Sequence, residues 1–389
     1  MRLSTRVQGF TESVIREMTR VNNLHGGVNL AQGMPNFPPP KEVIEAAHCA
    51  LEGDFHQYAI TWGAPQLRRA IADKYRKCYG IEADADENVT VCCGSTETML
   101  STLLAVLNPG DQVVIFEPFY ENYGPGSIIS GAEPIFVPLE PPNFGFDPDR
   151  LSRAVTPRTR AVIFNSPNNP TGKVFSRTEL ETIANFCLTH DLLAITDEIY
   201  EHIIFDGEEH VPIATLPGMA ERTVTISGIS KSYSVTGWRI GYAIAPPDIT
   251  LGIRRAHDFV SVGAPHPLQE AAVAALMLPD SYYLWLREMY QAKRDLLLGL
   301  VESAGFLAFK PKGAYYLLTE AGHLIERAGC PDDMAFALYL VKAIGVTTVP
   351  GSSFYAHPEL GRTEIRFCFP KTDETLKEAG ERLQKLAQA

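Results

Sequence analysis

A chain of 389 residues exceeds what one small core can organise, and a prior of roughly 150 residues per domain predicts two or three lobes. Its 45% hydrophobic and 21% charged content excludes a disordered chain, and a net charge of -12 argues against a nucleic-acid or anionic-membrane surface, leaving a small molecule as the expected ligand. Seven cysteines without a C-x-x-C, an opening "MRLSTRVQGFTESVIREMTRV" without an apolar signal core, and no stretch near about 18 apolar residues predict a cytoplasmic protein without membrane insertion.

In chain order, "QGMPNFPPP" at 32–40 reads as an extended proline-rich linker, and "KEVIEAAHCALEG" after it has helical spacing. From about residue 88 to 245, short β-branched runs alternate with helix-like stretches. "NVTVCC", "DQVVIFE", "EPIFVPL", "RAVIFN", "LLAITDE", "RTVTISG" and "IGYAIA" are the predicted strands, with "TETMLSTLLAVL" and "TELETIANFCLTH" as helices between them. This alternation implies a mostly parallel sheet covered by helices on both faces. Beyond about residue 280, "YYLWLREMYQAKRDLLLGLVESAG" predicts a long amphipathic helix connecting lobes. "GAYYLLTE", "GVTTVPG" and "TEIRFCFP" predict short strands of an α+β C-terminal part.

Open α/β sheets bind ligands outside the carboxyl ends of their strands, and five predicted ends carry polar or aromatic residues. After "VTVCC", Gly94-Ser95-Thr96-Glu97 opens a helix whose free N–H groups suit a phosphate, although a plain cap by Ser95 or Thr96 is the simpler reading. "VVIFE" is followed by Pro118-Phe119-Tyr120, an aromatic pair that alone is more often core than cofactor shelf. "NSPNNPTG" (165–172) is rich in turn formers, yet a turn leaves two adjacent asparagines unexplained, Asn169 directly before Pro170. "AITDEIY" sets Asp197 at the inner end of a buried strand, which is costly without a cation or donor unless the residue merely caps a helix; Tyr200 follows three residues on. "RTVTIS" runs out into Gly228-Ile229-Ser230-Lys231. A lysine in such a loop is usually just solvated, but this one shares a mouth with Asp197, Asn169 and the Gly94 turn.

Rival motifs fail. "GISKS" lacks the P-loop frame, "YGPGSIIS" misses the third glycine of G-x-G-x-x-G, neither G-x-S-x-G nor H-E-x-x-H occurs, and the ten histidines show no metal-ligand spacing, so no metal is expected. Pyridoxal phosphate (PLP) is the cofactor whose chemistry uses a lysine for its aldehyde, a carboxylate for its pyridine nitrogen, Tyr and Asn donors for its phenolic oxygen, and small residues plus Arg239 for its phosphate.

These residues carry a likeness. The chain resembles the fold type I PLP-dependent aminotransferases of class I/II over essentially its whole length, through "NLAQGMPNFPPP", "YAITWGAPQLRRAIA", "EPFYENY", "NSPNNPTG", "TDEIY", "SKSYSVTGWRIGY" and "IRFCFP" in family order. The resemblance implies an α/β fold, a large domain with a mostly parallel seven-stranded sheet between helices and a smaller α+β domain. Residues 1–43 would join the small domain and cover the site, 44–280 would bind PLP, and 281–389 would form the small domain. It implies that Lys231 carries the cofactor and shuttles the proton, that Asp197 pairs with the pyridinium, that Tyr200 and Asn169 reach the phenolic oxygen, and that Tyr120 stacks on the ring. Ser95, Thr96, Ser230 and Arg239 are the implied phosphate contacts, with Tyr58 arriving from the second subunit of a homodimer. Arg366, Gly33 and Asn169 would meet the substrate carboxylate.

Some positions depart from the family pattern. Gly228 stands where many relatives have a serine, with Ser227 or Ser230 as substitutes. Of the family branches, that of the kynurenine, glutamine and methionine aminotransferases is the nearest likeness, but Ile15, Val262 and Gly263 stand where it tends to have aromatics, and Thr96 where some aspartate-preferring relatives have a lysine. The expected activity is transfer of an amino group from an L-α-amino acid to a 2-oxo acid by a ping-pong mechanism through Lys231. The alternatives are a PLP-dependent β-lyase acting on cysteine S-conjugates or cystathionine, and a silent PLP-binding protein.

Overall fold

The computed structural model describes residues 3–388. Its helices of eight or more residues are α1 (Val14–His25), α2 (Lys41–Glu52), α3 (Pro65–Tyr79), α4 (Ser95–Val106), α5 (Tyr123–Ser130), α6 (Arg177–His190), α7 (Pro247–Val260), α8 (His266–Leu276), α9 (Asp280–Ser303) and α10 (Asp373–Gln388). Local chemistry sets several ends. α3 starts with Pro65 in its first turn, α6 has a capping box of Ser176 and Glu179, and α1 and α3 stop at Gly26 and Gly80 with positive φ.

The strands are β1 (Val28–Asn29), β2 (Val89–Cys92), β3 (Gln112–Glu117), β4 (Glu133–Glu140), β5 (Gly145–Phe146), β6 (Thr159–Asn165), β7 (Leu193–Asp197), β8 (Thr223–Gly228), β9 (Gly241–Ile244), β10 (Leu307–Phe309), β11 (Tyr316–Glu320), β12 (Val346–Thr347), β13 (Val349–Pro350) and β14 (Glu364–Cys368). The large sheet runs β2-β9-β8-β7-β6-β3-β4-β5. All seven strands expected from the sequence are in it, and the two-residue β5 adds an eighth by folding back on β4.

β3, β4, β6, β7 and β8 pair in parallel, while β9 is antiparallel to both β8 and β2. Two reversals restore direction, so β2 runs with β8. The carboxyl ends of β2, β3, β6, β7 and β8 therefore open on one edge, where α/β sheets bind ligands. β2, β3 and β8 are buried at every position, as expected of strands covered on both faces.

The second sheet, β10-β11-β14-β13, is antiparallel, with β11 and β14 as its inner strands and Arg366 of β14 opposite Leu318 and Val349. Parallel pairing of β1 with β12 ties the N-terminal segment to this C-terminal part. One apolar cluster joins Met18 of α1, Tyr200 just past β7, Leu286 and Tyr290 of α9, and Tyr316 and Phe367 of the second sheet. The chain between the large sheet and the C-terminal part is thus fixed around Tyr200. Among the described residues, no helix is long and apolar enough to cross a membrane.

Candidate active site

A cavity of about 450 Å³ lies at the shared carboxyl edge. Gly33, Ser95, Thr96, Tyr120, Asn169, Asp197, Tyr200, Ser230, Lys231 and Arg239 all line it, so most of the residues singled out in the sequence converge. Arg366 lies one layer behind, and Tyr58 is 85% exposed and does not line the cavity of its own chain.

At the floor, β7 ends in Asp197, buried, with one carboxylate oxygen 2.8 Å from the Tyr123 hydroxyl and the other accepting the Ile199 N–H at 3.2 Å. Burial pushes this carboxyl up to about 6, against those two donors and the nearby Lys231. It does not cap a helix, since none follows it. Asn165, at the end of β6, donates to the Asp197 carbonyl at 2.6 Å and accepts the Asn169 N–H at 2.7 Å, which sets the turn that presents Asn169. The neighbouring Asn168 closes that turn by accepting from the Thr171 N–H and hydroxyl, which accounts for the paired asparagines.

Lys231 follows β8 with its amine 3.5 Å from the Gly33 carbonyl oxygen and over the rings of Tyr200 and Tyr315. Burial pulls its pKa down to about 8; Asp197 opposes this, and Arg239 and Arg366 add to it. Tyr200 is buried edge-on to Tyr315, and its hydroxyl is 2.9 Å from that of Tyr316. Tyr120 stands edge-on to Tyr123 at the opposite wall.

The phosphate-like end is built from backbone. α4 starts after Gly94 with no side-chain cap, which removes the reading of Ser95 or Thr96 as a simple cap and leaves first-turn N–H groups without a capping side chain. Gly94 has φ 80°, and a Cβ there would lie 2.2 Å from a guanidinium nitrogen of Arg239. Arg239, itself at φ 59°, donates to the carbonyls of Thr236 at 3.0 Å and Cys93 at 3.4 Å. Gly241 lies flush under this turn, its virtual Cβ 2.4 Å from the Ser95 nitrogen. The result is a concave cup of N–H groups beside a guanidinium, fitted to an anion.

The two substitutes for a serine at position 228 separate cleanly. Ser227 points away, its hydroxyl donating to Glu201 at 2.8 Å in the core, whereas Ser230 lines the cavity. Position 228 has no room for a side chain: a Cβ would meet the Ile240 carbonyl oxygen at 2.7 Å.

At the other end, Arg366 is fully buried. It donates to the Asn169 side-chain oxygen at 2.9 Å and the Ala31 carbonyl at 2.5 Å, and lies between the rings of Tyr316 and Phe354. Its Nε has no protein partner. A buried donor without an acceptor is costly, so Nε is left with an unmet need for an acceptor. Gly33 brings its backbone against this group, its carbonyl accepting from the Tyr315 hydroxyl at 2.7 Å, and a Cβ there would sit 2.2 Å from the Tyr316 hydroxyl.

Sequence reading missed Tyr123, Asn165 and Tyr316. "EPFYENY" and "NSPNNPTG" contain the first two, but only Tyr120 and Asn169 were drawn from them. Tyr316 sits in "GAYYLLTE" with nothing beyond strand propensity to mark it. Ile15 lines the rim together with Arg16, Gln32 and Met34, while Val262 and Gly263 do not line the cavity of this chain.

The chain is similar to known proteins over nearly its whole length. The profile of the family "Aminotransferase class I and II" matches residues 25–383. A probable N-succinyldiaminopimelate aminotransferase of Mycobacterium tuberculosis is 39% identical, over 99% of this chain and 98% of its own. Human kynurenine–oxoglutarate transaminase 1 is 35% identical, over 98% and 97%. Among solved structures, an N-succinyldiaminopimelate aminotransferase of M. tuberculosis superposes with a TM-score of 0.95 at 38% identity, covering 99% of this chain and 100% of that one. An Escherichia coli protein with methionine aminotransferase function gives 0.93 at 32%, with the same coverage.

Proposed function

We propose, for a chain that belongs to the class I and II aminotransferases and is therefore a PLP-dependent enzyme of amino transfer, that Lys231 is its catalytic base and cofactor lysine, and that Asp197, Tyr200, Asn169 and the Gly94 cup hold the cofactor around it. Bound there, PLP supplies an electron sink that lets the bonds to the α-carbon of an amino acid break and re-form. The Asp197 carboxylate, oriented by Tyr123, would keep the ring nitrogen protonated, because a buried carboxylate gains most from a cationic partner. Tyr200 and the Asn169 amide would donate to the phenolic oxygen, and Tyr120 would cover the ring face. The N–H groups of Ser95 and Thr96, the Ser230 hydroxyl and Arg239 would hold the phosphate.

Arg366, through the Nε that lacks a partner, would take the substrate carboxylate, with Asn169 and the Gly33 backbone beside it. The Lys231 amine, lowered to about 8, would accept the α-proton in its unprotonated form, which gains population as pH rises through that value, and would then return the proton. The carrying observation is that Asp197 at the end of β7, and Lys231 and Arg239 from the connection between β8 and β9, face one cavity. A second 2-oxo acid would reverse these steps, giving ping-pong kinetics.

The curated relatives' names point to amino donors as different as N-succinyldiaminopimelate, kynurenine and methionine. The rim supports donors with an apolar stem, through Ile15 and Met34, and an acidic or amide end within reach of Arg16. A homodimer is supported by Tyr58 and Phe259, 85% and 94% exposed, and would bring Tyr58 to the partner's phosphate. The two separate sheets and the β1–β12 pairing support the division into 1–43, 44–280 and 281–389. Seven unpaired cysteines support a reducing, cytoplasmic setting.

The test is a half-reaction panel in which each amino acid is mixed with holoenzyme and the cofactor absorbance is followed. Conversion of the cofactor to its amine form is expected, with Lys231→Ala slowing it by about 10²–10⁴-fold. Undiminished conversion in that variant overturns the reading.

A further inference from the structure

Behind the cup at Gly94, α7 delivers His257 to the first turn of α4. The imidazole is fully buried. Its Nδ1 lies 3.0 and 3.1 Å from the two carboxylate oxygens of Glu97, and its Nε2 lies 2.9 Å from the carbonyl oxygen of Thr61. Ser261 Oγ, 3.2 Å from Nδ1, can accept as well as donate. A carbonyl and a carboxylate only accept, so both ring nitrogens must donate and the ring is an imidazolium. Energetics agree. Burial pulls the His257 pKa down, but Glu97, the Thr61 carbonyl and Asp258 together raise it. Burial likewise pushes Glu97 up, but His257, Ser101 and the Cys93 N–H hold it below the ordinary range.

Glu97 does more than pair. One of its oxygens accepts the Cys93 N–H at 2.9 Å and the other accepts the Ser101 hydroxyl. Cys93 is the residue whose carbonyl receives Arg239, and it immediately precedes Gly94. The carboxylate therefore fixes the turn that forms the cup. It also stands two residues from Ser95, where its own negative charge would oppose an arriving dianion.

We propose that His257 is a positioning residue that neutralises Glu97, so that the α4 N-terminus and Arg239 can take a phosphate dianion while Glu97 still shapes their turn. This rests on the assignment of the Gly94 cup to the cofactor phosphate. Cys92 with Glu97 and His257 also brings three potential metal ligands within 4.8 Å of one another. A metal there would need the Nδ1 lone pair, which an imidazolium lacks, so the geometry favours the ion pair.

The test measures dissociation constants of PLP and of inorganic phosphate for the apoenzyme, by equilibrium dialysis. His257→Asn is expected to weaken both by about tenfold or more, because it leaves a buried carboxylate uncompensated at the anion site. Adding Glu97→Gln to His257→Asn is expected to restore most of the loss, a rescue that a merely structural role would not give. Wild-type affinity in His257→Asn, or a double variant no tighter than the single, overturns the proposal. Should His257→Asn fail to fold, nitrogen NMR of the wild-type holoenzyme at pH 7.5 decides, with both His257 ring nitrogens protonated expected and a neutral ring overturning it. Stabilisation of the wild-type protein by added zinc through these residues also overturns it, in favour of a metal site. Arg239→Gln checks the premise separately: undiminished phosphate binding in that variant removes the cup assignment itself.

Discussion

At the scale of single residues, the site depends on two buried groups held away from their ordinary charge balance. Lys231, pulled down to about 8, is expected to react as a neutral amine in the apoenzyme with a midpoint near pH 8 rather than 10.5. The rate of its modification by a neutral amine reagent, followed against pH, checks this: below the midpoint the amine is protonated and the rate falls. Asp197, raised to about 6, works in the opposite sense. A carboxyl whose folded pKa is raised stabilises the fold fully below its unfolded value of 3.8, and that contribution disappears as pH rises through about 6. At pH 7.5 the apoenzyme therefore carries an unfavourable buried charge. Asp197→Asn is expected to raise apoenzyme stability by about 1–2 kcal/mol in chemical denaturation while cutting transamination severely. Asp197 was legible in the sequence because a carboxylate at the end of a buried strand needs a partner, and Lys231 because its loop shares a mouth with Asp197, Asn169 and the Gly94 turn. Tyr123 and Asn165 were not, since their roles arise only when α5 and the 165–172 turn fold against Asp197.

At the scale of elements, the cup beside Arg239 is shaped by three glycines, Gly94, Gly228 and Gly241, whose positions leave no room for a Cβ. Gly94→Ala combines a positive φ with a Cβ 2.2 Å from Arg239, and is expected to weaken PLP retention with little loss of fold elsewhere. Gly228→Ser, which restores the serine that many relatives carry, is expected to destabilise by about 1–3 kcal/mol and to tighten PLP not at all, as thermal unfolding and cofactor titration will read. Its Cβ would strike the backbone of β9, where Gly228 pairs with Gly241. The β-branched runs marked all seven main strands of the sheet, most of them buried along nearly their whole length, although β4 is buried only at Val137 and Leu139. α5 was hidden: "YGPGSIIS" holds two glycines and a proline, and its helix is held by burial against β4 and α4 rather than by propensity. β5 is too short to register in any pattern.

At the scale of the whole molecule, the site is built by residues from nearly every part of the chain, from Gly33 to Arg366, and Tyr58 and Phe259 stand exposed outside it. The particle in solution is expected to have twice the mass of one chain by light scattering, with Tyr58→Ala weakening PLP retention at an unchanged assembly state. The motifs from Gly94 to Lys231 foretold this architecture because each stood just past the carboxyl end of a strand of the large sheet. They could not foretell that Arg366 would lie behind Asn169 and Tyr316, since that depends on how the second sheet meets the first. The central claim is that Lys231 carries the cofactor and moves the proton. It is tested most directly by reducing the PLP-loaded enzyme with borohydride and mapping the labelled peptide by mass spectrometry. A pyridoxyl group on Lys231, absent when Lys231→Ala is treated alike, is the expected result; a group fixed on any other lysine, with Lys231 unmodified, would contradict it.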